Sequence, residues 1–165
     1  MSHPAERMAT YEDLLQVPDN LVAEIIGGRL VESPRLAPRN ALAYSALGSE
    51  LVGPFQKGRG GPGDWWILDG PEVHLGQDIL VPDLAGWRRE RLPVMPDTAF
   101  FDLNPDWVCE ILSPSTAQSD RVEKMPIYAR EGVAHIWLVD PELRTLEVFA
   151  LSDEQWVLHG AYRDA

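Results

Sequence analysis

The chain is poor in cysteine, in basic residues and in long apolar runs, and each shortage narrows what it can be. Its one cysteine, Cys109, rules out an internal disulfide and any multi-cysteine zinc site. A reducing compartment suits such usage, so a cytoplasmic location is expected. No stretch approaches the apolar length of a membrane span, and Met1 to Met8 lacks the apolar centre of a signal peptide. No membrane partner is therefore expected. Lys and Arg total 14 against 26 Asp and Glu, for a formal net charge of −12. That balance argues against a broad electrostatic grip on nucleic acid and leaves room only for a local basic rim or a metal-bridged contact. The four histidines, His3, His74, His135 and His159, show no HxH or HExxH spacing, which disfavours a zinc site. No Walker loop, GxGxxG or GxSxG occurs.

What is present is a foldable chain. Of 165 residues 45% are apolar and six are tryptophan, enough for one domain with its own core. Residues 1–9 read as a disordered tail and 10–160 as a single domain. Thr10-Tyr11-Glu12-Asp13 reads as a capped helix start. Leu21 to Ile26 and Arg29 to Glu32 flank Gly27-Gly28 as a hairpin. Asn40 to Gln56 spaces Tyr44, Leu47, Leu51 and Phe55 as an amphipathic helix, and a Gly-rich loop succeeds it from Lys57 to Asp64. Strands are expected at 65–68, 72–75, 79–87 and 107–112, with a long proline-bearing loop over 88–105. Ser119 or Asp120 can cap a helix reaching about Arg130, which Gly132 ends. A strand at 134–139 and a hairpin of 146–151 with 155–159 complete the order. Strand, helix, strand from Trp107 to Val139 implies one right-handed parallel crossover. The expected fold class is α/β (α+β), a mixed sheet with helices on its faces.

Two carboxylates stand in the apolar strand-like runs, Asp83 in Asp78 to Ala85 and Glu110 in Asp106 to Leu112. An ionised carboxylate there costs several kcal/mol unless it is paired, metal-bound or open to water. If the two strands pair, Asp83 and Glu110 project to one point. Mg²⁺ or Mn²⁺ takes hard oxygen ligands of this kind, and the main-chain carbonyl of Ile111 can add one more. Lys124, fourteen positions after Glu110, would orient a water or stabilise phosphorane charge. Each residue also has a plain structural reading. Asp83 can close a strand in a Pro-Asp bend, and Glu110 can pair with Arg121. Asp120 and Lys124 can form a surface pair four apart on a helix. Glu24 is either a third acid at the site or the solvated face of a hairpin. Pro126 threatens the helix just after Lys124 and could tip it inward. Cys109 points away from Glu110 and reads as core.

Several segments together resemble the Uma2 family of the PD-(D/E)xK nuclease superfamily, first catalogued as a domain of unknown function. They are Pro82-Asp83, Glu110-Ile111-Leu112-Ser113-Pro114-Ser115-Thr116, Asp120-Arg121, Lys124, Tyr128, Gly132-Val133 and Trp137-Leu138-Val139-Asp140-Pro141. The resemblance runs from about Thr10 to Leu151. It implies a restriction-endonuclease-like fold with Asp83 and Glu110 as metal ligands. Leu112 stands two residues after the glutamate, where the superfamily has its lysine, so the family's lysine is matched by Lys124. Glu24 matches an acidic position of the family, and Asn40 stands where a histidine is frequent.

Two function classes are open. One is a Mg²⁺- or Mn²⁺-dependent phosphodiesterase, an endonuclease on nucleic acid with DNA ahead of RNA. The other is a catalytically inactive nuclease-fold protein that serves as a binding or interaction partner. Hydrolysis of a small nucleotide is a third, weaker option. A homodimer is left open by the tryptophans, read as exposed, and by the terminal hairpin.

Overall fold

The computed structural model describes residues 6–163. Among these residues, ten strands form two sheets. The smaller is antiparallel, in the order β2-β1-β5-β4, from β1 Leu21–Ile26, β2 Arg29–Pro34, β4 Val73–Leu75 and β5 Asp78–Leu80. The larger runs β10-β9-β8-β7-β6-β3, from β3 Trp65–Asp69, β6 Leu84–Arg88, β7 Trp107–Ile111, β8 His135–Asp140, β9 Thr145–Ser152 and β10 Gln155–Arg163. Among the described residues, β7 and β8 are the only two strands that pair in parallel. Their connection carries helices α3, Ala117–Ser119, and α4, Met125–Arg130, as the strand–helix–strand pattern requires. Helix α1 is Tyr11–Leu15 and α2 is Pro38–Leu51. The α+β class is as expected, but the single sheet anticipated from the strand order is two sheets packed on each other.

Two cores explain the layering. On one face of the large sheet, Ala85, Trp87, Val108, Ile136 and Leu138 meet Ile26, Val73, Leu75 and Leu80 of the small sheet and Ile127 and Tyr128 of α4. On the other face, Leu84, Trp107, Cys109 and Ile111 meet Leu51, with Tyr44, Leu47 and Phe55 beside them. Cys109 is fully buried here, as its alternation with Glu110 predicts.

The local signals hold where chemistry is local. Thr10 caps α1 in a capping box with Asp13. Gly27 and Gly28 both take positive φ, 58° and 79°, the backbone a two-residue hairpin turn of this hand needs. Of the expected tail 1–9, residues 1–5 lie outside the described residues. Arg7 pairs with Asp13, and Ala9 donates to the Gly28 carbonyl.

Four expectations are corrected. The run 79–87 is not one strand: β5 ends at Leu80 in the small sheet and β6 begins at Leu84 in the large one. Pro82 has no N–H to donate to a ladder, and the chain changes sheets across Val81-Pro82-Asp83. The helix expected over 119–130 is α3, then a π-helical turn Asp120–Lys124, then α4. Likewise α2 passes into a π-helical turn over Val52–Gln56. The tryptophans are not exposed: Trp87 and Trp107 are buried and the other four partly so. The 88–105 loop is pinned to the core, since Trp66 and Trp87 donate their indole N–H to the carbonyls of Leu92 and Leu103.

Candidate functional site

The site lies between the two sheets, where the ends of β1, β6 and β7 meet the π-helical turn. Strand pairing sets it up. Leu84 stands opposite Cys109, so Asp83 falls beside Glu110 at the edge of the β6–β7 ladder. Asp83 occupies a bend just before β6, not a strand interior, and its Oδ2 accepts the N–H of Ile111 at 2.6 Å. The Pro-Asp bend and the proximity to Glu110 are thus both present. Glu110 sits on the core face of β7, 2% exposed. Glu24 shares a face with Ile26 on β1, which turns it toward the large sheet. It is buried, so the solvated-hairpin alternative falls.

Lys124 is the hub. Its Nζ lies 2.6 Å from Glu110 Oε1, 2.9 Å from Glu24 Oε1 and 3.7 Å from Asp120 Oδ1. The residue is 3% exposed and Asp120 is 4% exposed, so their pairing is not a surface helix pair. The π-helical turn explains the placement. Met125 N–H bonds the Asp120 carbonyl five residues back. The extra residue in the turn rotates the succeeding side chains by about 100° relative to an α-helix. Pro126 lacks the N–H that would close the next α-type bond, so the wider turn is tolerated there. Arg121, the alternative partner for Glu110, instead pairs with Glu147.

Two further residues bear on the site. Tyr128 O–H donates to Glu110 Oε1 at 2.7 Å. Asn40 Nδ2 donates to the Leu112 carbonyl at 2.8 Å and so ties α2 to the strand end after Glu110. Asp120 and Tyr128 were visible only within the family motif; nothing in their spacing separates a buried acid or a buried tyrosine from surface ones. Glu24 Oε1 also accepts Val81 N–H, bridging the chain's crossing between sheets to the hub. A cavity of about 200 Å³ opens onto Glu24, Asp83, Glu110, Asp120 and Lys124.

Three carboxylates thus meet one ammonium, with Asp83 on the same cavity, and this arrangement governs how the group titrates. Burial raises Asp83 to about 6, against the Ile111 hydrogen bond and the Lys124 charge, which lower it. Burial likewise holds Glu110 well above the usual glutamate range and raises Asp120. Burial works against the Lys124 ammonium, but Glu110 and then Glu24 hold its pKa well above the ordinary value. Tyr128 is raised by burial and by Glu110.

The raised Asp83 pKa predicts a stability effect. The folded protein holds this proton more tightly than the unfolded chain, whose aspartates titrate near 4. The contribution is therefore complete below about pH 4 and lost as pH rises through about 6. Asp83→Asn removes the burial cost of the ionised form and can still accept the Ile111 N–H. It is expected to raise the metal-free Tm at pH 7.5 by a few degrees and to leave it nearly unchanged at pH 4. Thermal melts at both pH values check this; a large loss at pH 7.5 would mean that the charge is structurally required.

Among the described residues, no three His, Cys, Asp or Glu side chains converge as a ready cage for a metal ion. The ammonium occupies the centre instead. The donor set nevertheless suits a hard cation: the oxygens of Asp83 and Glu110 are carboxylate oxygens beside an excess of buried acid, and Mg²⁺ commonly takes only one or two carboxylates with water completing its shell.

The family model of Uma2, described as "Putative restriction endonuclease", matches residues 8–164. The chain belongs to the Uma2 family. A crystal structure from Anabaena variabilis, of a "putative nuclease belonging to DUF820", superposes with a TM-score of 0.74 at 21% identity, covering 91% of this chain and 83% of that one. Likeness at that identity carries the fold. No curated protein matches the chain. Membership of Uma2 supports a nuclease. Among the described residues, no helix is long and apolar enough to cross a membrane.

Proposed function

We propose that this Uma2 protein is a Mg²⁺- or Mn²⁺-dependent phosphodiesterase that cleaves nucleic acid, DNA ahead of RNA. The observation that carries the reading is the buried Lys124 ammonium set among Glu24, Asp83, Glu110 and Asp120 beside an open cavity. A core gains little from such a group, since replacing buried ion pairs by apolar side chains is often neutral or stabilising. Chemistry is the better reason for it. Asp83 and Glu110, with the Ile111 carbonyl, would hold the cation. That cation would supply Lewis-acid charge to a phosphodiester oxygen.

The chain's own residues do the rest. Lys124 brings positive charge to the phosphate without needing to be deprotonated, because its acidic neighbours hold it ionised. Glu24 and Tyr128 fix the two partners of that contact: Glu24 holds the ammonium, and Tyr128 holds the Glu110 oxygen that meets it. Asp83, half-buried at the cavity, is oriented by the Ile111 N–H that its Oδ2 accepts.

The test is cleavage of supercoiled plasmid, single-stranded DNA and RNA with Mn²⁺, Mg²⁺ and EDTA. Cleavage that needs the metal and is lost in Glu110→Gln is expected. The net charge of −12 favours the alternative, a nuclease-fold protein that binds a partner without cleaving. Retained metal binding with no cleavage of any of the three substrates would establish that alternative.

A further inference from the structure

Beside helix α2 the large sheet carries a groove of about 750 Å³. Its floor is a row in register across three strands. Val139 of β8 stands opposite Leu146 of β9, and Leu146 stands opposite Tyr162 of β10. Its wall is Leu42, Ala43 and Ala46 of α2. Leu42 is 72% exposed and Tyr162 60%. Three arginines stand over this apolar floor. Arg39 is in the first turn of α2, Arg144 lies between β8 and β9, and Arg163 ends β10. Most basic side chains of the chain are spent on carboxylates, as Arg7, Arg29, Arg88, Arg91, Arg121 and Arg130 are. Arg39 and Arg163 are in no ion pair with a carboxylate among the described residues. Two acids share the lining. Asp140 Oδ1 is occupied by the N–H groups of Glu142 and Leu143, which leaves Glu142 as the acid that opposes the arginines.

The groove adjoins the carboxylate site. Ile111 of β7 pairs with Val139 of the parallel β8, so Glu110 and the groove floor lie at the same end of the sheet. Leu112 ties the two together. Its N–H donates to the Val139 carbonyl at 2.7 Å, and its carbonyl accepts Asn40 Nδ2 at 2.8 Å. Leu36 lines the carboxylate cavity and Arg39 lines the groove, and three residues of chain span at most about 11 Å. Strands lie about 4.8 Å apart, so the row from Ile111 to Tyr162 runs roughly 14 Å sideways from the site. Glu110 faces the small sheet and the groove faces α2. A ligand that occupies both passes around the ends of β7 and β8.

We propose that this groove holds a single strand of nucleic acid running from the carboxylate site, with Arg39, Arg144 and Arg163 on its phosphates and Tyr162 against a base. The choice of nucleic acid rests on the phosphodiesterase reading above. The guanidinium fork matches phosphate oxygens, and an exposed aromatic ring offers a stacking platform that tolerates any base. The apolar floor selects a single strand, because a duplex keeps its base faces stacked within itself. The contact is local, and salt screens the more distant acids, so it is compatible with a net charge of −12.

The experiment follows the fluorescence anisotropy of a labelled oligothymidylate titrated with the full chain in EDTA over a series of salt concentrations. Saturable binding is expected, with log Kobs falling against log salt at a slope of roughly −2, the value for three phosphate contacts on a single strand. Arg39→Gln, Arg144→Gln and Arg163→Gln are each expected to reduce that slope by roughly 0.7, and together to bring it near zero. Tyr162→Ala is expected to weaken binding roughly 5-fold or more with the slope unchanged. Glu142→Gln is expected to tighten binding. All five side chains are exposed, and melting curves that match the wild type verify that the variants fold. No saturable binding, a wild-type slope in the triple arginine variant, or a duplex bound as tightly as the single strand overturns the proposal. No metal or cleavage enters the measurement, so an inactive carboxylate site would leave strand binding standing. Metal-dependent cleavage at the wild-type rate by the triple variant would remove the groove and leave the phosphodiesterase reading standing.

Discussion

Lys124→Met is expected to cost the metal-free protein about 3–5 kcal/mol of stability and to lower cleavage at least a hundredfold. The structural cost arises because the ammonium is the shared partner of Glu110 at 2.6 Å and Glu24 at 2.9 Å in a buried site. Methionine keeps the stem's volume and leaves those carboxylates with no counter-charge. An exposed helix pair would instead be worth about 0.3–0.5 kcal/mol. The cost should shrink as pH falls, since carboxylates whose pKa burial already raises can take up a proton. Urea unfolding at pH 5 and pH 8 measures both the size and the sign. Divalent-ion affinity should stay the same or rise, because Glu110 Oε1 loses its competing cation. A variant that unfolds like the wild type and cleaves normally would reduce Lys124 to a bystander.

Mn²⁺ at about a hundred times its Kd is expected to stabilise the wild type by about 2.7 kcal/mol, a rise in Tm of roughly 5–11 °C for a chain of this size. Both the shift and Mn²⁺ binding followed by titration calorimetry should vanish in Asp83→Ala and in Glu110→Ala. Asp106→Asn provides the control: this acid is as deeply buried, but it is held by Arg88 and Arg91 far along the strand from Glu110. Loss of Mn²⁺ binding in Asp106→Asn alone, or equal binding in all four proteins, would remove Asp83 and Glu110 as ligands. Binding should also weaken below about pH 6, where Asp83 holds its proton and a cation must displace it.

The carboxylates were legible because burial makes them anomalous. An acid inside Trp107-Val108-Cys109-Glu110-Ile111 has few structural explanations, and pairing of its strand with the one after Pro82 brings Asp83 to it. Glu24 was legible only as a choice between two faces. A hairpin's alternation does not say which side another sheet will cover. Asp120 and Tyr128 resembled ordinary helix residues. The clustering of Trp65, Trp107 and Trp137 about Gly86 could not be read at all, because these residues lie on four different strands that only the sheet order makes neighbours.

What this sequence determined by itself is local or periodic. It specified the Thr10 cap, the Gly27-Gly28 turn, the parallel crossover after Trp107 and the core side of Cys109. Each depends on neighbours within a few residues or on strand alternation, and both are written in the order of the chain. Tertiary structure alone decided that Val81-Pro82-Asp83 changes sheets and that Glu24 faces inward. It decided too that a π-helical turn carries Lys124, with Asp120, into the buried group around Glu110 and not to the surface. Those outcomes depend on which surfaces meet after the sheets have formed. The free energy that selects them is the burial of Ile26, Leu80, Val108 and Tyr128 against one another, a sum over residues far apart in sequence that no window along the chain contains.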